Sequence, residues 1–169
     1  MMLVVSTIKS KVLLSIAILR ELNNKVNYYK SVVNKNIAQY NEYIAKTSKI
    51  LPEKTRNVER EIESLKILHK HLDCVSIFLE SIILRLETLT ISGNAVAAAV
   101  ALKDVIKILK KNMKYGPPIL SVLVDRLNDI SKSIILEIEN SIEMKGMSVK
   151  VSSEALKIIE EAKKISGIE

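Results

Sequence analysis

The chain has 169 residues, of which 48% are hydrophobic and only 4% aromatic, and its formal net charge is +7. This length suits one domain with its own core, and the abundance of Leu, Ile, Val, Lys and Glu is typical of helical bundles and coiled coils. The single cysteine, Cys74, excludes an internal disulfide and fits a reducing compartment. No apolar run approaches the roughly 20 residues that a membrane-spanning helix needs.

Glycines and prolines divide the chain into five predicted helices, because both residues are costly in a helix interior. We expect helices at about 3–50, 53–92, 95–114, 118–145 and 153–165. Pro52 and Pro118 suit the first helical turn, where a missing N–H breaks no hydrogen bond. The predicted fold class is all-α, with a long antiparallel hairpin over about 3–92 and additional helices packed at one end. We assign 1–145 to a core, and 146–169 to a linker and short C-terminal helix.

The first predicted helix carries almost all of the net charge. Residues 1–50 contain eight Lys or Arg and two Asp or Glu, which accounts for +6 of the total. A folded core gains nothing from this concentration, whereas a surface that meets an anionic partner does. On a helical wheel Arg20, Lys35, Lys46 and Lys49 fall opposite the apolar stripe, so we expect them to face away from the second helix and to contact a membrane.

A narrow apolar stripe runs along both of the first two helices, as in an antiparallel coiled-coil hairpin. In the first helix the stripe consists of Leu22, Val26, Tyr29, Val33, Ile37, Tyr40 and Ile44. At 1.5 Å per residue the two arms would be roughly 60–70 Å long. The helices are apolar nearly all round at 12–19 and 68–86, which lie at the end away from Pro52. We therefore expect the other helices to cover that end and to leave the hairpin tip bare.

The first residues of the chain combine bulky apolar side chains with lysines, as an interfacial membrane anchor does. The candidate membrane-binding residues here are Leu3, Val4, Val5, Ile8, Lys9 and Lys11. The alternative is an ordinary helix start that docks on the rest of the protein. A signal peptide is less favoured, because charged residues crowd the apolar run and no small-residue cleavage site follows it.

The sequence contains no recognisable catalytic constellation. The only histidines, His69 and His71, lie two residues apart on a helix and point about 200° away from each other, so they cannot share a metal. Cys74 has no basic neighbour to activate it, and neither a phosphate-binding glycine loop nor Gly-x-Ser-x-Gly occurs. We expect no enzyme, metal or cofactor. Tyr28 and Tyr43 leave nucleic-acid binding as a less favoured alternative.

Residues 83–89, Ile-Leu-Arg-Leu-Glu-Thr-Leu, resemble the "LRLET" sequence at the end of the second helix in the CdvB group of archaeal ESCRT-III proteins. A break at Gly93, an Ala/Val-rich run and a Leu-Lys-Asp-Val-Ile-Lys stretch at 102–107, similar to the family's "VIKE", follow in the same order. The helix at 153–162 resembles the family's fifth helix. The layout covers most of the chain, and the motif residues are Leu84, Arg85, Leu86, Glu87 and Thr88.

The resemblance implies a non-enzymatic, cytoplasmic subunit that polymerises through its hairpin with itself and sister subunits. Such polymers lie on the inner face of anionic membrane, where they remodel it in cell division, vesicle budding or virus release, and a AAA ATPase disassembles them. Glu154 and Lys157 depart from the family's ATPase-binding pattern, since Lys157 stands where its first leucine should be. The resemblance therefore indicates a short paralogue that meets the ATPase only indirectly or weakly. The alternative is a basic helical adaptor that binds protein or nucleic acid without polymerising.

In this family the later helices fold back on the hairpin and hold it closed. The corresponding hinges here are Gly93 and Asn94 before the third helix, and Gly116, Pro117 and Pro118 before the fourth. The apolar stripe of the fourth helix would cover helices two and three. Its release would let the chain at Gly93 straighten into one longer helix.

Overall fold

The structure, a computed structural model, describes residues 2–114, 116–140 and 148–169, which form five α-helices and no strand. The helices are α1 (Met2–Thr47), α2 (Pro52–Ile91), α3 (Ala95–Asn112), α4 (Pro118–Glu139) and α5 (Ser148–Ser166). The all-α fold class predicted from the sequence is confirmed. Side chains are described for residues 6–114, 116–140 and 153–169.

The predicted bounds agree closely for α1 to α3 and less well for the last two helices. α4 ends at Glu139 rather than at about 145, and Asn140 follows it as the cap, donating its N–H to the carbonyl oxygen of Leu136 at 3.0 Å. α5 begins at Ser148 rather than at about 153. The segment 148–152 alternates serine and valine with one lysine, residues of modest helix propensity, and for that reason the sequence predicted a linker there.

α1 and α2 form the long hairpin, joined by a turn in which Thr47 O accepts hydrogen bonds from the N–H groups of Ile50 and Leu51, both at 3.0 Å. Pro52 opens α2, as expected for a residue without an N–H. The hydroxyl of Thr55 donates to Pro52 O at 2.6 Å within this first turn. The 46 residues of α1 correspond to a rod of about 69 Å.

Polar contacts fix the register of the two arms. The buried hydroxyl of Ser76 on α2 lies 2.9 Å from the side-chain oxygens of both Asn23 and Asn27 on α1. One turn further toward the tip, Lys30 Nζ lies 2.6 Å from Asp73 Oδ1. A buried polar group must keep its partner, so sliding one arm along the other would leave Ser76 unsatisfied. These contacts favour one alignment of the seam over its neighbours.

The hairpin divides into a covered part and a bare part. Toward the chain's N-terminus, Leu19, Leu22 and Val26 of α1 are completely buried, as is Phe78 of α2. Toward the turn the seam is thin, and Tyr40 on it is already exposed. We call the covered end the body and the region around the turn the tip. The predicted division into a helical body and a bare tip is confirmed.

Three further helices complete the body. α3 packs against all the other helices, and its alanines at 97, 98, 99 and 101 are almost fully buried, which allows close approach of its neighbours. α3 runs back along α2. Its last residue, Asn112, lies beside His71 of α2, whose Nε2 donates to the Asn112 carbonyl oxygen at 2.6 Å. α5 packs against α2 and α3. Its buried face consists of Ala155, Ile158, Ile159 and Ala162.

α4 packs chiefly against α1 and α3, not against α2 and α3 as the sequence predicted. Its buried residues Leu120, Leu123 and Leu127 follow the predicted apolar stripe. The prediction of the buried face is therefore confirmed, and the prediction that this face packs on α2 is wrong. The apolar breadth of α1 at 12–19 is the reason, since that surface is free of α2 and needs a cover of its own.

Candidate functional site: the motif segment, the hinges and the basic face

The motif segment, residues 84–88, lies where α1, α2 and α5 meet. Arg85 Nη2 is 2.8 Å from Glu161 Oε2 of α5, and Glu87 forms an ion pair with Arg20 of α1. Leu86, between them, is completely buried in the core. Because successive residues of a helix point about 100° apart, three consecutive side chains can reach three different neighbours. This segment therefore ties both the first and the last helix to α2.

The other two motif residues, Leu84 and Thr88, are exposed. Leu84 is 64% exposed, whereas Ile83 and Leu86 beside it are buried. The Thr88 hydroxyl donates back to the carbonyl oxygen of Leu84 at 2.9 Å, which is a bond within the helix. An exposed leucine at the edge of the motif segment leaves apolar surface available to a partner.

The predicted hinge at Gly93 and Asn94 is a sharp helix end. Gly93 has φ +90°, a conformation that favours glycine, and its N–H donates to Thr90 O at 3.4 Å. The N–H of Asn94 donates to Leu89 O at 2.7 Å. These two bonds form a Schellman motif, which satisfies the last carbonyls of α2 and turns the chain into α3. The positive φ of Gly93, together with the non-helical ψ of 45° at Asn94, interrupts the helix between α2 and α3.

The second predicted hinge is a compact turn between α3 and α4. Gly116 N–H donates to Met113 O at 3.1 Å, and Leu120 N–H donates to Pro117 O at 3.0 Å. Pro117 is extended, with φ −55° and ψ 143°, as expected for a residue before a proline, and Pro118 begins α4. The two prolines fix the direction in which α4 leaves the turn.

The candidate membrane-binding lysines of the first arm differ in their exposure. Lys9, Lys35, Lys46 and Lys49 are exposed. Of these, Lys46 contacts Glu42 of the same helix at 3.0 Å, a pair that is itself exposed. The four residues, which we call the basic face, remain accessible to an anionic partner.

Three of the predicted membrane-binding residues are in different positions from those expected. Arg20 reaches across to Glu87 of α2, so the prediction that it faces away from α2 is wrong. Ile8 is completely buried and therefore cannot enter a membrane in this structure. Lys11 is half-buried and engaged with α4. The side chains of Leu3, Val4 and Val5 lie outside the described residues.

Lys11 connects α1 to α4. Its ammonium donates to Ser133 Oγ at 2.8 Å and forms an ion pair with Glu137 Oε1. The second carboxylate oxygen, Glu137 Oε2, is buried and has no hydrogen-bond partner among the described residues. Together with the pair between Arg85 and Glu161, this contact means that both helices folded back on the hairpin are held by a charge pair in addition to apolar packing.

The described part of the chain shows no metal centre and no membrane span. It contains no group of three or more His, Cys, Asp or Glu side chains that could hold a metal ion. None of its helices combines the length and apolar character that crossing a bilayer requires. His71 is half-buried and hydrogen-bonded to Asn112 at the end of α3, so it contributes to packing in the body.

Sequence reasoning missed the contacts of the C-terminal helix. α5 packs on α2 and α3, and the backbone carbonyl oxygen of Glu169 accepts a hydrogen bond from Lys111 of α3 at 3.5 Å. The spacing of Ala155, Ile158, Ile159 and Ala162 was the available signal, because it gives the helix one continuous apolar face.

A long hairpin closed at one end by three helices defines an ESCRT-III-like helical bundle. The chain is similar to Cell division protein B1 of Sulfolobus acidocaldarius, with 33% identity over 102 residues, which cover 60% of this chain and 48% of that protein. The match thus spans about half the length of the curated relative. It confirms the resemblance to CdvB-like proteins of the archaeal ESCRT-III family. No protein-family model matches the chain, and no solved structure matches it significantly.

Proposed function

We propose that this protein is a non-enzymatic ESCRT-III-like subunit that assembles into polymers on anionic membrane and remodels it in archaeal cell division. The observation that carries the proposal is the position of the motif segment. The residues that resemble the family also hold α1 and α5 against α2, through Glu87 and Arg85 respectively. The relative named as a cell division protein supports the biological setting.

In this proposal the structure is the closed form of the subunit. α4 covers apolar surface of α1 and α3, and α5 covers apolar surface of α2 and α3. Release of these helices would expose that surface to a neighbouring subunit, either a second copy or a sister ESCRT-III protein. The Schellman motif at Gly93 would then open, and α2 and α3 could continue as one helix.

The basic face supplies the membrane contact. Each lysine near an anionic surface contributes on the order of 1 kcal/mol, and the attraction is screened over about 10 Å at 0.1 M salt. Lys9, Lys35 and Lys46 of α1 are exposed, as is Lys49 in the turn after it, and the four would act together along the hairpin arm. The protein would therefore lie on the inner, cytoplasmic face of the membrane at the division site. A AAA ATPase would act on it through sister subunits.

Sedimentation with vesicles and with nucleic acid, side by side, tests this function against the alternative of a basic adaptor. We expect the chain to sediment with vesicles containing anionic lipid, not with neutral vesicles, and only weakly with nucleic acid. Binding should weaken as salt rises. Replacement of the four lysines of the basic face by glutamate should abolish it while the circular dichroism spectrum stays helical.

A matched control makes the same charge change on α2. The exposed residues chosen for it are Lys54, Arg56, Arg60 and Lys66. This control should retain most of the vesicle binding. Equal loss in both variants would show that net charge alone, and not the basic face, governs binding. Tighter binding to nucleic acid than to anionic vesicles would favour the adaptor instead.

A further inference from the structure

A groove of about 450 Å³ lies between α3 and α4, on a part of the surface to which α1 and its basic face do not contribute. Its lining residues are Lys103, Ile106, Lys107, Lys110, Asn128, Ser131, Lys132, Ile135 and Leu136. We call it the α3/α4 groove. Nothing in the proposed assembly uses this feature, since the helices that form it would separate when α4 is released.

The groove has an apolar floor and a basic rim. Ile106 is buried in the floor, and the exposed side chain of Leu136 adds apolar surface beside it. Lys103, Lys107 and Lys110 follow one another at intervals of four and three residues along α3, so they share one edge of the groove. Lys132 stands on the α4 side.

The four rim lysines are not engaged in ion pairs within the described part of the chain. Among the described residues, no acidic side chain lines the groove. Like charges gathered at the mouth of a low-dielectric groove raise the local concentration of anions. The ligand that complements this surface carries a negative group at one end and apolar atoms at the other.

The dimensions favour an alkyl chain over a helix. A volume of this size lies in the range of small-molecule sites, roughly 300–1,000 Å³. The basic wall from Lys103 to Lys110 is only about 10 Å long, which is two helical turns. An isolated helix becomes stable in water only above about 12–15 residues, and groove recognition of a helix needs apolar anchors over several turns. The floor provides one apolar patch, which suits one chain.

We propose that the α3/α4 groove binds a single anionic lipid molecule, with an alkyl chain on the floor at Ile106 and Leu136 and the headgroup on the lysine rim. This site is distinct from the basic face, which would attract a membrane surface without enclosing any one lipid. Ser131 and Asn128 supply polar atoms near the rim for the headgroup oxygens.

Binding at this site is selective for the closed form. Both walls of the groove are needed, so the site exists only while α4 packs on α3. A ligand that binds only one of two forms raises the ratio of that form to the other by the factor 1 + [L]/Kd. A lipid held in the groove therefore opposes assembly, whereas the basic face promotes it. This consequence rests on the proposed function, but the binding itself does not.

The test uses the full chain and water-soluble short-chain lipids below their micelle concentration. Dihexanoyl phosphatidylglycerol is titrated by calorimetry, beside dihexanoyl phosphatidylcholine and glycerol 3-phosphate. We expect saturable binding of the first at one site, and at least tenfold weaker binding of the other two. Backbone amide resonances of 103–110 and 128–136 should shift on addition of the anionic lipid.

Two variants locate the site and a third controls for net charge. Lys107→Glu with Lys132→Glu should weaken binding at least tenfold, and Leu136→Asn should weaken lipid binding without altering the weak response to glycerol 3-phosphate. Arg56→Glu with Arg60→Glu makes the same charge change on α2, away from both the groove and the basic face, and should leave the dissociation constant unchanged. All five positions are at least partly accessible, and a melting curve checks that each variant is folded.

Several results would overturn the proposal. These are equal binding of the zwitterionic lipid, equal binding of glycerol 3-phosphate, or equal loss of binding in the α2 control. Tighter binding of an acidic amphipathic peptide at the same residues would assign the groove to a protein partner instead. Calorimetry on the isolated chain requires no assembly. The lipid site can therefore be disproved while polymerisation on vesicles is observed, and polymerisation can be disproved while the lipid site is confirmed.

Discussion

Arg85 and Glu161 join the second helix to the last one through a contact of 2.8 Å, although 76 positions separate them in the sequence. The pair lies beside buried apolar residues of α5, including Ile158 and Ala162. Arg85 lies two residues before Glu87, which pairs with Arg20 of α1. One turn of α2 therefore contacts both α1 and α5 in the closed form. The strength of these contacts should set how readily the subunit opens.

Breaking the pair between Arg85 and Glu161 should loosen α5. Both side chains are substantially exposed, so the pair itself contributes only about 0.2–1 kcal/mol. Glu161→Arg adds repulsion between two arginines, and we expect faster hydrogen exchange in 153–166 with little change elsewhere. Arg85→Glu combined with Glu161→Arg should restore protection, whereas Glu160→Arg, on the exposed face of the same helix, should not affect it. Unchanged exchange in Glu161→Arg would show that apolar packing alone holds α5.

The contact between Lys11 and Glu137 should control α4 in the same way. Glu137→Lys places a second cation opposite Lys11 and removes the carboxylate that accepts from it. Removing one partner of a partly buried ion pair lowers the stability of the fold by more than an exposed pair contributes, because the other charge stays partly buried without a partner. We expect a lower melting temperature and more rapid assembly on anionic vesicles, with rescue by Lys11→Glu in the same chain. A failure of the swapped pair to rescue either property would assign the effect to Glu137 alone.

Gly93→Ala should shift the balance from the closed toward the open form. No atom lies within 4 Å of the added Cβ, so the cost in the closed form is conformational, roughly 1–2 kcal/mol for a left-handed residue. In a continuous helix the same change is favourable by about 0.8–1.0 kcal/mol. We expect the isolated chain to melt earlier and the assembled fraction to rise, as measured by light scattering.

Gly167→Ala is the matched control for this change. Gly167 also has a positive φ, +74°, and open space around its Cα. It follows α5 and does not separate two packed helices that could become one. The control should lose stability without gaining assembly. If both variants assembled to the same extent, destabilisation and not helix continuation would be the cause.

The middle of the hairpin should show a specific dependence on pH. The hydrogen bond from Lys30, and then the charges of Lys30 and His69, lower the pKa of Asp73 below its ordinary value, although desolvation acts in the opposite direction. A carboxyl with a lowered folded-state pKa stabilises the fold above its unfolded-state pKa, about 3.9 for Asp, and loses this contribution as pH falls through the folded value. Asp73→Asn should therefore be less stable than the parent chain at pH 6.

Urea unfolding of both proteins between pH 6 and pH 3 measures this contribution. The difference in unfolding free energy should be constant from pH 6 to about pH 5 and should shrink as Asp73 becomes protonated. Asp125→Asn, at an exposed position of α4, serves as the control and should differ little from the parent at any pH. A difference that grew on acidification would have the wrong sign for this account.

The sequence was sufficient to predict the fold because its signals are local. Pro52, Gly93 and Pro118 mark helix ends through backbone chemistry that needs no partner. The spacing of Leu22, Val26 and similar residues gives the buried face of each arm. These signals do not depend on which helices become neighbours. They were therefore enough to predict the hairpin, the body and the bare tip.

The candidate site could be predicted only in part, because its details depend on which helices become neighbours. A helical wheel placed Arg20 away from the seam, but it could not show that Glu87 lies within reach of so long a side chain. The helical wheel identified the correct apolar face of α4. It could not show that this face packs on α1 and not on α2. The burial of Ile8 has the same origin.

Electron microscopy of the full chain on vesicles tests the central claim, which is polymer formation on anionic membrane. The chain, and a variant with the four lysines of the basic face replaced by glutamate, are incubated at matched concentration with anionic and with neutral vesicles. We expect filaments on the anionic vesicles, formed by the parent chain alone, and more of them with Gly93→Ala. A parent chain that binds the anionic vesicles yet remains monomeric there, with Gly93→Ala also monomeric, would contradict the account.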